Sequence, residues 1–208
     1  QMQGVDYMAF VVPGLVMLAI VTNAYMNTSF TFFSLKFFSR AIDEILASPT
    51  PPWVMIAGFV AGGIVRGVLV GALVLAVSLF FTGLSLSVAS AGVILGFALL
   101  TSMIFALAGL VNGIYATTFD GINIVPTFVI TPLVYFGGVF YSIQTLPPLV
   151  QTLSHLNPVF YLINGFRYGF LGISDVPLAT AALVLIALIA ILIGINWYLL
   201  RTGLGLKQ

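Results

Sequence analysis

The 208-residue chain carries six basic and five acidic residues, a net charge of +1, and 61% apolar residues. Soluble domains usually carry about a quarter charged residues, so this composition cannot make a water-compatible surface and the chain reads as an integral membrane protein. It has no cysteine, hence no disulfide framework and no thiolate metal site, and its near-zero net charge gives no reason to expect a nucleic-acid partner.

Charge-free runs extend from Tyr7 to Leu35, Gly67 to Phe119, Gly121 to Phe166 and Val176 to Leu200. A spanning helix needs about 20 apolar residues, and the runs are continuous rather than alternating, which favours helices over barrel strands. The fold class expected is an all-α membrane protein with five spanning helices in a single transmembrane domain, 1–208. The first predicted span covers 7–27, with Pro13 near its start. Segment 34–48 follows and holds Lys36, Arg40, Asp43 and Glu44 before Ser48-Pro49-Thr50-Pro51-Pro52 forbids further helix. At helical spacing Leu35, Phe38, Ile42, Ile45 and Leu46 share one face, with Lys36, Arg40 and Asp43 on the other. This predicts a short amphipathic helix against the membrane surface or a soluble partner; a plain interfacial linker between two spans fits the same pattern.

The second predicted span, 53–81, carries small residues at Gly58, Gly62, Gly63, Gly67 and Gly71, a spacing that lets helices approach closely. It also carries Arg66, the one charge expected inside a span, placed to snorkel toward the inner interface, with a charge on the substrate pathway as the alternative. Thr82 to Ser85 turns the chain into the third span, 87–115. The fourth, 124–141, holds Pro126 and Pro132 and an aromatic series, Phe128, Tyr135, Phe136 and Phe140, together with Thr131. Region 142–175 is apolar but broken by Pro147-Pro148, Asn157-Pro158, Gly165, Gly169 and Gly172. Its pieces are too short to span, which predicts re-entrant or interfacial half-helices on the outer side, anchored by Arg167 with Tyr161 and Tyr168. The last span, 176–200, is an uninterrupted aliphatic run closed by Arg201 and Lys207.

Lysine and arginine in loops set orientation. Five spans put Lys36, Arg40, Arg201 and Lys207 on one side against Arg167 alone on the other, so the 34–48 segment and the C-terminus are expected in the cytoplasm. An outward start at residues 1–6 without a signal peptide leads to the expectation of a further spanning helix upstream, six in the complete protein. The chain has no G-x-x-x-x-G-K-[ST] phosphate loop and no H-E-x-x-H, and no paired carboxylates fall in its spans. An intramembrane enzyme would need such groups, and an ion-coupled carrier would need buried carboxylates or histidines as relays. These two remain the alternatives to a transporter driven by a partner. The single histidine, His155, has no nearby ligand-type residues in sequence.

The order Phe37-Phe38-Ser39-Arg40, Asp43-Glu44-Ile45-Leu46, Ala47-Ser48-Pro49, Pro52-Trp53 resembles the segment between the second and third spans of type 2 ATP-binding-cassette exporter permeases. Gly137-Gly138-Val139-Phe140-Tyr141-Ser142, Leu146-Pro147, Leu156-Asn157-Pro158 and Gly165-Phe166-Arg167-Tyr168-Gly169-Phe170-Leu171-Gly172 are similar to the fifth-span exit and outer loop of that family, in a YadH-like subgroup. The resemblance covers essentially the whole chain in order. It implies a non-enzymatic permease half in a bacterial inner membrane that dimerises with a second copy and docks a separate ATP-binding-cassette ATPase subunit. ATP and magnesium would then be bound by that subunit, and this chain itself would bind no cofactor and no metal. It implies a coupling helix from Lys36 to Leu46, with Arg40, Asp43 and Glu44 making the charged contacts and Phe37, Phe38 and Leu46 the apolar ones. It also implies that the fourth span here walls the translocation pathway, with Phe128, Thr131, Tyr135, Phe136 and Phe140 facing an amphipathic, lipid-like, glycan or drug cargo.

Overall fold

The computed structural model describes residues 7–38, 41–82, 91–140 and 147–206, side chains of 82, 148–150 and 153 excepted. Among these residues all regular structure is helical: α1 (Tyr7–Phe37), α2 (Ala41–Ala47), α3 (Pro52–Thr82), α4 (Ala91–Tyr115), α5 (Phe119–Val125), a π-helical turn (Pro126–Ile130), α6 (Thr131–Phe136), α7 (Pro148–His155), α8 (Pro158–Leu171) and α9 (Leu178–Thr202). Five segments are long and apolar enough to cross a membrane: α1, α3, α4, α9, and α5 to α6 taken together. The protein is an all-α membrane protein.

α1 is the central element, packed along α3 on one side and α4 on another. It runs ten residues past the predicted end at Asn27, because the hydroxyls beyond that point find partners inside the bundle. Thr28 donates to the Ala24 and Phe59 carbonyls at 3.3 and 3.4 Å, and Ser29 accepts from the Asn112 amide at 3.2 Å. Polar groups satisfied this way do not end a helix in lipid. The predicted continuous helix from Lys36 to Leu46 is not formed: α1 holds Lys36 and ends at Phe37, and α2 covers Ala41–Ala47.

The glycines of α3 divide by face. A Cβ on Gly63 would stand 2.7 Å from the Ala106 Cβ, and one on Gly67 3.0 Å from the Ala24 Cβ, so this row seats α3 against α1 and α4. Gly58 and Gly62 point the other way, into an open groove.

The span built from α5, the π-helical turn and α6 departs most from ideal geometry, and two prolines explain it. Pro126 has no N–H, so the Ile122 carbonyl loses its helical donor; the Asn112 side chain of α4 supplies one at 3.2 Å. The turn then widens, with Thr131 donating both its backbone N–H and its hydroxyl to the Pro126 carbonyl. The segment starts five residues before the predicted Ile124, since Thr118 caps it by accepting from the Gly121 N–H. It stops at Phe136, where the Leu133 carbonyl takes the Asn157 amide at 2.6 Å.

α7 and α8 are the two half-helices expected in 142–175. Fourteen residues give α8 a length of about 21 Å, too short to span. It is nonetheless buried, wedged against the beginnings of α1, α4 and α9. Gly165 lies under the Phe97 ring and Gly169 under Ile94. Arg167 is a correction to the sequence reading: it is not an interfacial anchor but 2% exposed. Its Nη2 donates to the Gly138 carbonyl at 2.7 Å and its guanidinium lies 3.8 Å from the centre of the Phe10 ring. A buried cation survives only with such partners, so Arg167 joins α8 to the exit of α6 and the start of α1. Tyr161 instead donates to the His155 carbonyl at 2.9 Å. α9, read as purely aliphatic, contains a fully buried Asn196 whose amide donates to the Leu107 carbonyl of α4 at 3.1 Å.

Two stability predictions follow from this packing. Gly63→Ala should lower unfolding stability by about 1–3 kcal/mol through overpacking, while Gly58→Ala should be neutral or better, both read by thermal unfolding in one detergent. Arg167→Met should lower the unfolding midpoint by several degrees, because it strands the Gly138 carbonyl and loses the ring contact; Arg167→Lys should restore only part of it, since a compact ammonium does not match a planar guanidinium stacked on a ring.

Candidate functional site

The end of the bundle that carries α2 is built from the last turns of α1, α4 and α9 and the first turn of α5. Lys36 holds three of them together. Its ammonium donates to the Ile114 carbonyl at 2.8 Å and to the Gly205 carbonyl at 2.7 Å, closing the unpaired C-terminal carbonyls of α4 and of the turn after α9. An aromatic group covers the junction: the Phe33 ring lies 4.6 Å from that of Phe37 and 5.1 Å from that of Phe119, and the Phe38 ring is 5.7 Å from that of Phe119.

α2 hangs from this junction. Ile42 is buried and Ile45 half-buried, which fixes one face on the bundle. Asp43, Glu44, Leu46 and Ala47 are exposed on the other. The two carboxylates occupy the first turn, where the helix dipole favours negative charge. Ser48 ends the helix, its hydroxyl donating to the Ile45 carbonyl at 2.6 Å and paired with the Thr50 hydroxyl at 2.6 Å. Three prolines between Ser48 and Trp53 then lead into α3.

The residues named as coupling contacts therefore fall in two places. Asp43, Glu44 and Leu46 share the outward face of α2, whereas Lys36 and Phe37 belong to α1 and pack against the bundle. Phe38, just past α1, is largely exposed. Arg40 lies outside the described residues. The hydrophobic spacing that grouped Leu35 and Phe38 with Ile42, Ile45 and Leu46 assumed one helix through Phe38, but α1 ends at Phe37 and Leu46 is exposed rather than set beside Ile42 and Ile45.

The residues named for a translocation pathway lie on the α5 to α6 segment. Phe128, Tyr135 and Phe136 are exposed, forming an aromatic ridge that nothing within the chain covers among the described residues. Phe140 stacks on Tyr135 with ring centres 5.4 Å apart. Thr131 is half-buried, and its hydroxyl is engaged with the Pro126 carbonyl at 2.8 Å. A cavity of about 460 Å³ opens beside the ridge, lined by Pro132, Leu133, Phe136, Leu156, Asn157 and Pro158 among others. Among the described residues no group of histidine, aspartate and glutamate could hold a metal ion; His155 packs edge-on against Phe160.

The sequence reading passed over Asn112 and Asn196 and took Asn157 only as part of a chain-turning Asn157-Pro158 pair, yet each of the three repairs or ties a backbone carbonyl on another helix. Their signal was present: an asparagine amid an apolar run must spend its amide somewhere.

Residues 1–171 match the family described as ABC-2 type transporter. Over its full 208 residues the chain is 53% identical to the inner membrane transport permease YadH of Escherichia coli K12, covering 80% of that protein. It is 24% identical over 180 residues to nodulation protein J of Rhizobium leguminosarum bv. viciae, covering 83% of this chain and 66% of that one. A bundle of apolar spans, a short helix slung between two of them and a buried half-helix thus meet a sequence match along most of the chain: this protein belongs to the ABC-2 type transporter family, as a membrane permease subunit.

Proposed function

We propose that the chain is one permease half of an exporter in a bacterial inner membrane, pairing with a second copy and driven by an ATP-binding-cassette ATPase subunit that docks on α2. Family membership supports a permease that works with such an ATPase in general. The observation that carries the docking reading is the geometry of α2. It is the one short helix suspended between two spans at the end where the basic residues gather, and it turns Asp43, Glu44 and Leu46 outward. A helix covalently joined to α1 and α3 can pass a push to both, and an acidic edge with one apolar residue suits a groove of complementary charge. ATP and magnesium belong to the partner in this reading.

By the loop-charge rule this end is cytoplasmic, with Lys36 and Arg201 on it and the C-terminus beside them. The exposed ridge of Phe128, Tyr135 and Phe136 then faces the second copy across the export route. Its aromatic, weakly polar character suits an amphipathic or lipid-like cargo, including lipid-linked glycans and drugs.

The double variant Asp43→Lys/Glu44→Lys should still fold, because both side chains are exposed, yet lower partner binding and transport-coupled ATP turnover by about tenfold. Co-purification with the ATPase and turnover in reconstituted vesicles measure this. Unchanged binding and transport would remove the docking role. Since the chain has no cysteine, a single Ala47→Cys labelled from the cytoplasmic side only would fix the orientation, and labelling from outside would overturn it.

A further inference from the structure

Arg66 is the one charged residue in the middle of a spanning helix, and it faces outward from α3. Its guanidinium has five N–H donors. Among the described residues it makes one polar contact, a long bond from Nη1 to the Asn27 amide oxygen at 3.4 Å, and no carboxylate neutralises it. An exposed cation in that state is costly in hydrocarbon. From Arg66 to the end of α3 at Thr82 an ideal helix rises about 24 Å, against a hydrocarbon thickness of about 30 Å. The guanidinium therefore reaches the boundary between acyl chains and headgroups in the leaflet on the α2 side.

What surrounds Arg66 changes character at that boundary. Toward α2, Gly58 and Gly62 precede it on the same helical face. A Cβ on Gly58 would meet nothing within 4 Å, and one on Gly62 would meet only the Asn27 amide nitrogen at 3.5 Å. The missing side chains leave a groove of about 360 Å³ between α1 and α3, its walls mostly apolar (Ile45, Val54, Met55 and Phe59), with Asn27, Thr31 and Thr50 as the polar groups on it. Away from α2, Leu69 and Leu73 form an exposed apolar ridge along α3. An apolar-walled groove carrying the polar groups of Asn27, Thr31 and Thr50, the Arg66 cation and an apolar ridge follow one another along α3.

We infer that the α1–α3 groove is a binding site for an anionic phospholipid, with the phosphate on Arg66 and Asn27, the headgroup in the groove beside Thr31 and Thr50, and the acyl chains along Leu69 and Leu73. The apolar ridge selects a membrane lipid over a free phosphate, and the uncompensated positive charge selects an anionic over a zwitterionic headgroup. The site is separate from the outward face of α2 and from the aromatic ridge of α5 to α6, and does not depend on either assignment.

Native mass spectrometry of the full chain in detergent, titrated with phosphatidylglycerol or phosphatidylcholine, tests it. Arg66→Gln should weaken phosphatidylglycerol binding about fivefold, the effect of one basic side chain at an anionic surface, and leave phosphatidylcholine binding unchanged; Arg66→Lys should retain most of the preference. Gly58→Leu fills the groove without touching the charge and should weaken the same lipid, which keeps the test open if Arg66→Gln does not fold. Equal phosphatidylglycerol affinity in wild type, Arg66→Gln and Gly58→Leu would overturn the proposal. So would complete displacement of the lipid by millimolar glycerol phosphate, which would mark a soluble-anion site, or efficient disulfide linkage of Gly62→Cys between two copies, which would mark the groove as a protein interface.

Discussion

Backbone carbonyls and N–H groups inside a bilayer have no water to turn to, and this requirement organises the bundle more than any apolar contact does. Lipid tails compete with core side chains on nearly equal terms, so helix association draws on close packing and polar ties. Here the ties sit where the helical ladder fails. Pro126 orphans the Ile122 carbonyl and Asn112 repairs it; α6 ends and Asn157 takes the Leu133 carbonyl; α4 and the turn after α9 end and Lys36 closes both. Each repair comes from a different element, so local defects become links between helices. Arg167 works in the same way at the opposite end, where the Gly138 carbonyl follows a helix terminus.

The two ends of the molecule differ as a result. The end with the half-helices is filled: α8 is buried to its side chains, with Gly165 and Gly169 set under Phe97 and Ile94. The α2 end is tied at a few points and otherwise open, with exposed carboxylates and the groove beside α3. Close packing is thus concentrated at the half-helix end, and exposed polar chemistry at the α2 end.

Much of the architecture could be read from the residues. Long charge-free runs required spanning helices, and the broken apolar stretch around Asn157-Pro158 required helices too short to cross. What escaped reading was the meaning of isolated polar residues. Thr28 and Ser29 looked like the end of a span but are absorbed by neighbours, so α1 continues. Asn196 vanished into an aliphatic run though it ties α9 to α4. Arg167 was placed at the membrane surface by type, whereas Phe10 and the Gly138 carbonyl, both far off in sequence, make its burial tolerable. For the site, the outward turn of Asp43 was legible from spacing, but the exposure of Leu46 and the end of α1 at Phe37 were not: Phe33, Phe37 and Phe38 are gathered by Phe119, about eighty residues away in sequence, and no local pattern shows that. Likewise the glycine spacing of α3 could not say which row meets a helix and which stays open.

Because a single ammonium pins the terminal turns of α1, α4 and α9 to one another, these three behave at that end as one plate. α3 is seated on α1 and α4 along the Gly63 and Gly67 row and is tied to them again by α2 and the proline-rich segment Pro49 to Pro52. If a partner docks on α2 as proposed, its load enters the bundle at the mouth of the groove bordered by Asn27 and Gly62, where α3 has no helix seated on it among the described residues.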